Sequence, residues 1–165
     1  MISLDRILFA GRKNLTGYTL IELLVGISIV GIIFSVGYAG FRQFSQRQQL
    51  AGVAKSITSD IQLIKQKALS GEKPSGVACT KLDGYAFFRS SATRYILQAV
   101  CTNNPTIATK TVDLTGITMT VTTNSTVFKV LGQGTGLTAT NTITLTQTAT
   151  GNTYSITIGT GGDIR

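Results

Sequence analysis

The sequence predicts an α+β protein: a long N-terminal α-helix packed on a C-terminal antiparallel β-sheet domain. Three observations carry that prediction. Leu23 to Phe41 is an apolar run without a charged residue. Beyond it, apolar residues recur at three- and four-residue spacing as far as Ala68. The remainder is rich in Thr, the residue occurring 26 times in 165, and alternates apolar with polar side chains. Charged residues make up only 13% of the chain and hydrophobic residues 42%, the reverse of a disordered composition. There is no His, so a His-based triad or a His-ligated metal is excluded, and two Cys cannot build a four-Cys zinc site.

As a helix, the apolar run spans about 28 Å, the thickness of a bilayer's hydrocarbon core. Only Gly and Ser interrupt it, so it lacks the polar face of a surface helix. Arg6, Arg12 and Lys13, against Asp5, precede it, which keeps the N-terminal end cytoplasmic and places the rest of the chain outside. Val36-Gly37-Tyr38-Ala39 makes a poor signal-peptide cleavage site, and the alternative is a signal anchor that is never cut. Glu22 fits neither. A carboxylate beside hydrocarbon is costly unless paired, which marks it as functional. The competing reading places it at headgroup level, solvated and favouring the helix N-terminus.

No Pro occurs between Gly17 and Pro74. Leu50, Val53, Ala54, Ile57, Ile61, Ile64 and Ala68 form one stripe of an amphipathic helix, read as its core face. Ser70 to Gly76 stops it with Gly and Pro. From Tyr18 to about Ser70 the helix is about 80 Å long. Gly37 and Gly40 each cost about 1 kcal/mol relative to Ala and supply local weakness. Gly26, Ser28, Gly31, Ser35 and Gly37 permit close helix approach.

Seven β-prone runs follow: Val77–Leu82, Tyr85–Arg89, Arg94–Cys101, Ile117–Thr123, Thr126–Leu131, Asn141–Thr148 and Thr153–Ile158. Thr150-Gly151-Asn152, Asp83-Gly84 and Thr123-Asn124-Ser125 read as hairpin turns. Cys79 and Cys101 each fall in a predicted strand. An even count outside the cytoplasm favours one disulfide, worth about 3 kcal/mol, over two reduced core thiols.

Gly17-Tyr18-Thr19-Leu20-Ile21-Glu22-Leu23-Leu24-Val25, after a short basic leader, resembles the processing motif of type IV prepilins and pseudopilins. The resemblance implies a pilin fold, cleavage between Gly17 and Tyr18 by a prepilin peptidase, and N-methylation at Tyr18, where the family usually has Phe. It divides the chain into a leader (1–17), a transmembrane or filament-core helix (18–41), its amphipathic continuation (42–70) and a Thr-rich β domain (77–165). Cleavage creates an ammonium at Tyr18. Glu22 of one subunit pairing with that terminus on a neighbour would remove two isolated charges and set axial register, with Thr19 hydrogen-bonding at the same point. The implied partners are the peptidase, other pilin or pseudopilin subunits, the inner-membrane assembly platform, and the lipid bilayer before assembly.

The strand containing Phe128, the strand Thr142-Ile143-Thr144-Leu145, the last strand and Gly161-Gly162-Asp163-Ile164-Arg165 resemble the end of H-type minor pseudopilins, the GspH/FimT group. Some pilus members bind DNA through a terminal Gly-Arg-x-Arg. Here Asp163 replaces the first Arg and repels phosphate, leaving Arg165 as the remaining DNA contact. Arg42, Arg47, Lys55, Lys65 and Lys67 more simply contact anionic lipid. Lys73, Lys81, Arg89, Arg94, Lys110 and Lys129 are candidates for a basic patch. Gly132 to Gly136 lies between strands and lacks the Lys of a phosphate loop, so it reads as flexible loop. No catalytic pair, cofactor site or metal site is expected, and the protein reads as a peptidase substrate, not an enzyme. The expected function is a structural subunit, minor pilin or pseudopilin, of a type IV pilus or type II secretion-like filament. The alternatives are a major pilin, a tip receptor or adhesin binding DNA or a surface, and a signal-anchored β protein.

Overall fold

The structure, a computed structural model, describes residues 17–75, 79–102 and 106–165, without the side chains of 36–39. Residues 1–16 of the expected leader and Val77–Ala78 of the first expected strand lie outside the described residues. Helix α1 spans Leu20–Ser70, 51 residues, and is followed by β1 (Leu82–Ser91), β2 (Arg94–Cys101), β3 (Ile107–Asp113), β4 (Ile117–Val121), β5 (Ser125–Lys129), β6 (Asn141–Gln147) and β7 (Thr153–Ile158). The chain divides into two compact units between Arg42 and Gln43.

Helix α1 stops where its chemistry stops it. Gly71 takes φ 65°, the Glu72 N–H bonds the Lys67 carbonyl at 3.2 Å, and the Gly71 N–H bonds the Ala68 carbonyl at 3.2 Å. This is a Schellman closure, which needs a left-handed residue after the helix. The Lys67 ammonium, 2.8 Å from Glu72, adds an ion pair across the same turn, and that hydrogen bond raises the Lys67 pKa.

In the second unit, Leu50, Ala54, Ile57, Ile61, Ile64 and Ala68 are buried on one helical stripe, and Val53 packs at its margin. They share one core with two antiparallel sheets, ordered β3-β2-β1-β5 and β4-β6-β7. β2 and β6 alternate buried with half-buried residues, as a strand with one apolar face must. Phe87 and Tyr95 stack at 5.2 Å between ring centroids on the neighbouring strands β1 and β2. Thr covers the outer faces, where its branched Cβ suits the pleat.

Several sequence expectations are corrected. Asp83-Gly84 is not a turn: it lies within β1, where the register slips between Leu82 and Gly84. Gly84 is required there because any Cβ would collide with the Phe128 carbonyl of β5. Gly84→Ala is therefore expected to cost about 1–3 kcal/mol through forced backbone movement, read as a fall in the urea midpoint at unchanged slope. The β1–β2 turn is made instead by Ala92-Thr93. Thr123-Asn124-Ser125 is not a hairpin, because β4 and β5 belong to different sheets. The bend carries the chain from one sheet to the other. Asn141 holds it, accepting from the Thr123 N–H at 3.0 Å and donating to the Thr123 carbonyl at 2.9 Å and the Thr126 hydroxyl at 2.8 Å. Cys79 to Lys81 is not strand, so Cys79 joins Cys101 of β2 from a loop; the disulfide closes at 2.06 Å. The expected strand Thr126–Leu131 ends at Lys129 and passes into a 3₁₀ turn at Val130–Gly132.

Strand β3 was not predicted at all. It is the edge of its sheet, and of its seven residues only Ile107 is buried, so no alternation marks it. What attaches it to the helix is a charge. Lys110 of β3 donates to both carboxylate oxygens of Asp60 at 2.7 and 2.8 Å, and the Tyr95 hydroxyl donates to Asp60 Oδ2 at 2.7 Å. Asp60 sits on the apolar stripe and is only 7% exposed. Burial first, and then the bond to Asp60, push the Tyr95 pKa far up, so the folded state rejects its phenolate. A raised tyrosine pKa contributes stability that is complete below the unfolded value of about 10 and is lost as pH rises above it. Tyr95→Phe is expected to lower stability at neutral pH by about 1.5–3 kcal/mol, since Asp60 loses a donor. It should also flatten the loss of stability above about pH 10 in unfolding measured across alkaline pH.

Candidate functional site

The residues singled out in the sequence, Tyr18, Thr19 and Glu22, sit where the chain enters α1, and local sequence explains the geometry there. Gly17 to Thr19 is not helical. The Thr19 hydroxyl accepts from the Glu22 N–H at 3.3 Å, and the Thr19 carbonyl accepts from the Leu23 N–H at 3.2 Å. Thr19 is thus the N-cap and Glu22 the third helical residue, the spacing of a Thr-x-x-Glu capping box. Glu22 is the acidic residue of the first turn, where the helix dipole favours its charge.

Tyr18 and Glu22 are both exposed, Tyr18 at 79%. Along the same flank, Gly26 and Gly31 leave a shallow hollow of about 710 Å³ that begins at Tyr18 and Glu22 and ends at Phe34. Every described side chain from Leu20 to Ser35 is exposed, including eleven large apolar ones from Leu20 to Phe34. Ser28 and Ser35 donate to the carbonyls four residues back, at 2.8 Å each, so this segment offers few unsatisfied polar groups. The segment is long and apolar enough to cross a membrane. An apolar segment exposed in this way among the described residues is suited to lipid or to other helices.

The structure places Tyr18 and the capping Thr19 just before the first turn of α1 and Glu22 within it, and bonds Cys79 to Cys101. Arg165 lies elsewhere, at the edge of β7. Its backbone N–H and carbonyl pair with Thr157 at 3.0 and 2.9 Å, and its guanidinium stands 3.4 Å from the Asp163 carboxylate. The candidate basic patch is largely engaged: Lys73 bonds the Thr80 carbonyl, Arg89 the Met119 carbonyl, Arg94 pairs with Asp113, Lys81 with Asp83 and Lys110 with Asp60. Lys65 of α1 bonds the Gly162 carbonyl at 2.8 Å, and Lys67 pairs with Glu72. Among the described residues no cluster of three potential metal ligands occurs. The Asp60–Tyr95–Lys110 group was missed from sequence; its signal was an acid on an otherwise apolar stripe.

A capped helix whose described side chains from Leu20 to Ser35 are exposed, and a two-sheet β domain, are the features to set beside known proteins. Residues 12–38 match the prokaryotic N-terminal methylation motif. The chain has the fold of the minor pseudopilin EpsH from the type 2 secretion system of Vibrio cholerae, with a TM-score of 0.51 at 9% identity over 70% of this chain and 94% of that one. Comparison with curated protein sequences returned no significant match. Motif and fold are those found among type IV pilins and pseudopilins: the methylation motif lies over residues 12–38, and the fold is like that of a GspH-type minor pseudopilin. The motif implies peptidase processing, membrane anchoring and assembly with other subunits, and the fold is pilin-like.

Proposed function

We propose that the chain is a minor subunit of a type IV pilus or type II secretion-like filament. The leader to Gly17 stays cytoplasmic, residues 18–41 span the inner membrane, residues 42–70 continue the helix, and the β domain of residues 77–165 lies outside. A prepilin peptidase hydrolyses the Gly17–Tyr18 amide, leaving a carboxylate on Gly17 and an ammonium on Tyr18, which is then N-methylated. The assembly platform draws the helix from lipid into a filament. There Glu22 pairs with the Tyr18 terminus of a neighbour, beside the Thr19 hydroxyl. The observation that carries this reading is the exposed Tyr18 beside the Thr19–Glu22 cap at the start of a helix whose described side chains from Leu20 to Ser35 are exposed. The Cys79–Cys101 bond suits an oxidising compartment. Engagement of most domain cations within the fold disfavours a DNA receptor, whose phosphate contacts need free Lys and Arg.

The test is the N-terminal mass of the protein recovered from membranes and from sheared filaments. A chain beginning at methylated Tyr18 is expected. A chain still beginning at Met1 in peptidase-competent cells would refute the processing and the filament role together. Copy number per filament, expected to be far below that of the main subunit, separates minor from major.

A further inference from the structure

Sheet edges are liabilities that folds normally cover or blunt, and in this protein they are treated unequally. β4 is covered: the Met119 N–H donates to the Ala92 carbonyl at 2.6 Å, and its carbonyl accepts from Arg89. β5 is covered by Gly134–Gly136, which bond Lys129 and Val127. β3 carries Lys110 and Asp113, both in ion pairs. Among the described residues β7 is covered over its second half, where Arg165 pairs with Thr157 and Ile164 bridges Ile158, and not over its first. In its first half, Tyr154 opposite Leu145 and Ile156 opposite Ile143 turn their backbone groups to β6, which leaves those of Thr153 and Ser155 directed away from β6, in phase with Thr157. Thr153, Tyr154 and Ser155 are all exposed, and this stretch has no charge, Pro or bulge.

Beside this edge runs a groove against α1, holding about 250 Å³ between Lys55, Ser59, Tyr154 and Arg165 and about 430 Å³ between Arg47, Ala51 and Tyr154. Its titratable charges from the helix are both positive. Arg165 is shared with Asp163, whereas Arg47 and Lys55 have no acidic partner among the described residues.

We propose that the free half of β7 is a docking edge for an extended acidic segment of a partner protein. The segment adds as an antiparallel strand on the track that Ile164–Arg165 already uses. It bonds the outward N–H and C=O groups of Thr153 and Ser155, covers Tyr154, and directs alternate carboxylates at Arg47 and Lys55. Strand addition supplies affinity through the backbone and specificity through alternate side chains. A second copy of this chain is disfavoured, because edge-to-edge pairing of two β7 strands would bring like charges together. The inference does not depend on the filament role.

The test uses the full chain, isotope-labelled in micelles, and two short blocked peptides, one alternating Glu with Thr and one alternating Lys with Thr. The Glu peptide is expected to shift the Thr153 and Ser155 amide signals and slow their exchange, leaving Thr157 unchanged. The Lys peptide should do neither. Lys55→Glu and Arg47→Glu should each weaken binding about tenfold or more. Ser155→Pro, which removes an outward N–H at an edge position, should abolish it, with Ile143 and Ile156 signals reporting an intact sheet. The proposal is overturned by no response to the Glu peptide at millimolar concentration, or by equal binding of the Lys peptide. It is equally overturned if an oligothymidylate shifts these signals where the peptide does not, or if they shift with protein concentration alone.

Discussion

Glu22→Gln is expected to abolish entry into filaments while leaving the protein inserted and its helix intact. Gln is the other residue that serves at the third position of a capping box, so the Thr19 cap and the start of α1 survive the change. What is lost is the charge. In the processed protein the Tyr18 ammonium of a neighbour would then enter an apolar helix core without a counter-ion. Removing one member of a buried pair costs about 3–5 kcal/mol, a hundredfold or more in assembly. The measurement is the share of protein in sheared filaments relative to membranes. Incorporation at the wild-type level would refute the pairing. Thr19→Ala separates the charge from the cap: it should cost about 1 kcal/mol of helix start and leave assembly far less impaired.

The second large effect is expected in the β domain. Lys110→Met should destabilise it by about 3 kcal/mol, because the buried Asp60 carboxylate keeps only the Tyr95 hydroxyl. Asp60→Leu should cost less, since the half-exposed Lys110 can turn to water. The double variant should recover part of the loss, as two apolar side chains then face each other where two charges did, while the buried Tyr95 hydroxyl is left without its acceptor. Urea unfolding of the four proteins gives the coupling directly. Simple additivity of the single losses would mean that the pair does not hold β3 to the helix.

The contrast between these two sites shows what was legible beforehand. The Thr19–Glu22 turn is local: a capping residue, an acid three positions on and an apolar run are all visible within one short segment. The stop at Ser70 and Gly71 is equally local, as are β2, β6 and β7, whose alternation reports one buried face. The failures share a different cause. Gly84 looked like a turn residue because Asp-Gly usually is one, yet its lack of a Cβ serves the approach of Phe128, far along the chain. Thr123-Asn124-Ser125 looked like a hairpin, yet whether a bend joins neighbours or crosses between sheets depends on which strands pair on either side. β3 gave no signal, because an edge strand exposed on both faces needs no apolar period.

The amino-acid order thus specified the elements that satisfy their own backbone and solvent preferences: the membrane-length helix, its caps, and the half-buried strands. Strand order, the sheet switch at Asn141, the Asp60–Lys110 bond and the outward backbone groups of β7 emerged only on folding. Each is set by contacts between residues distant in sequence, where the energy depends on what arrives opposite and not on any preference of the residue itself.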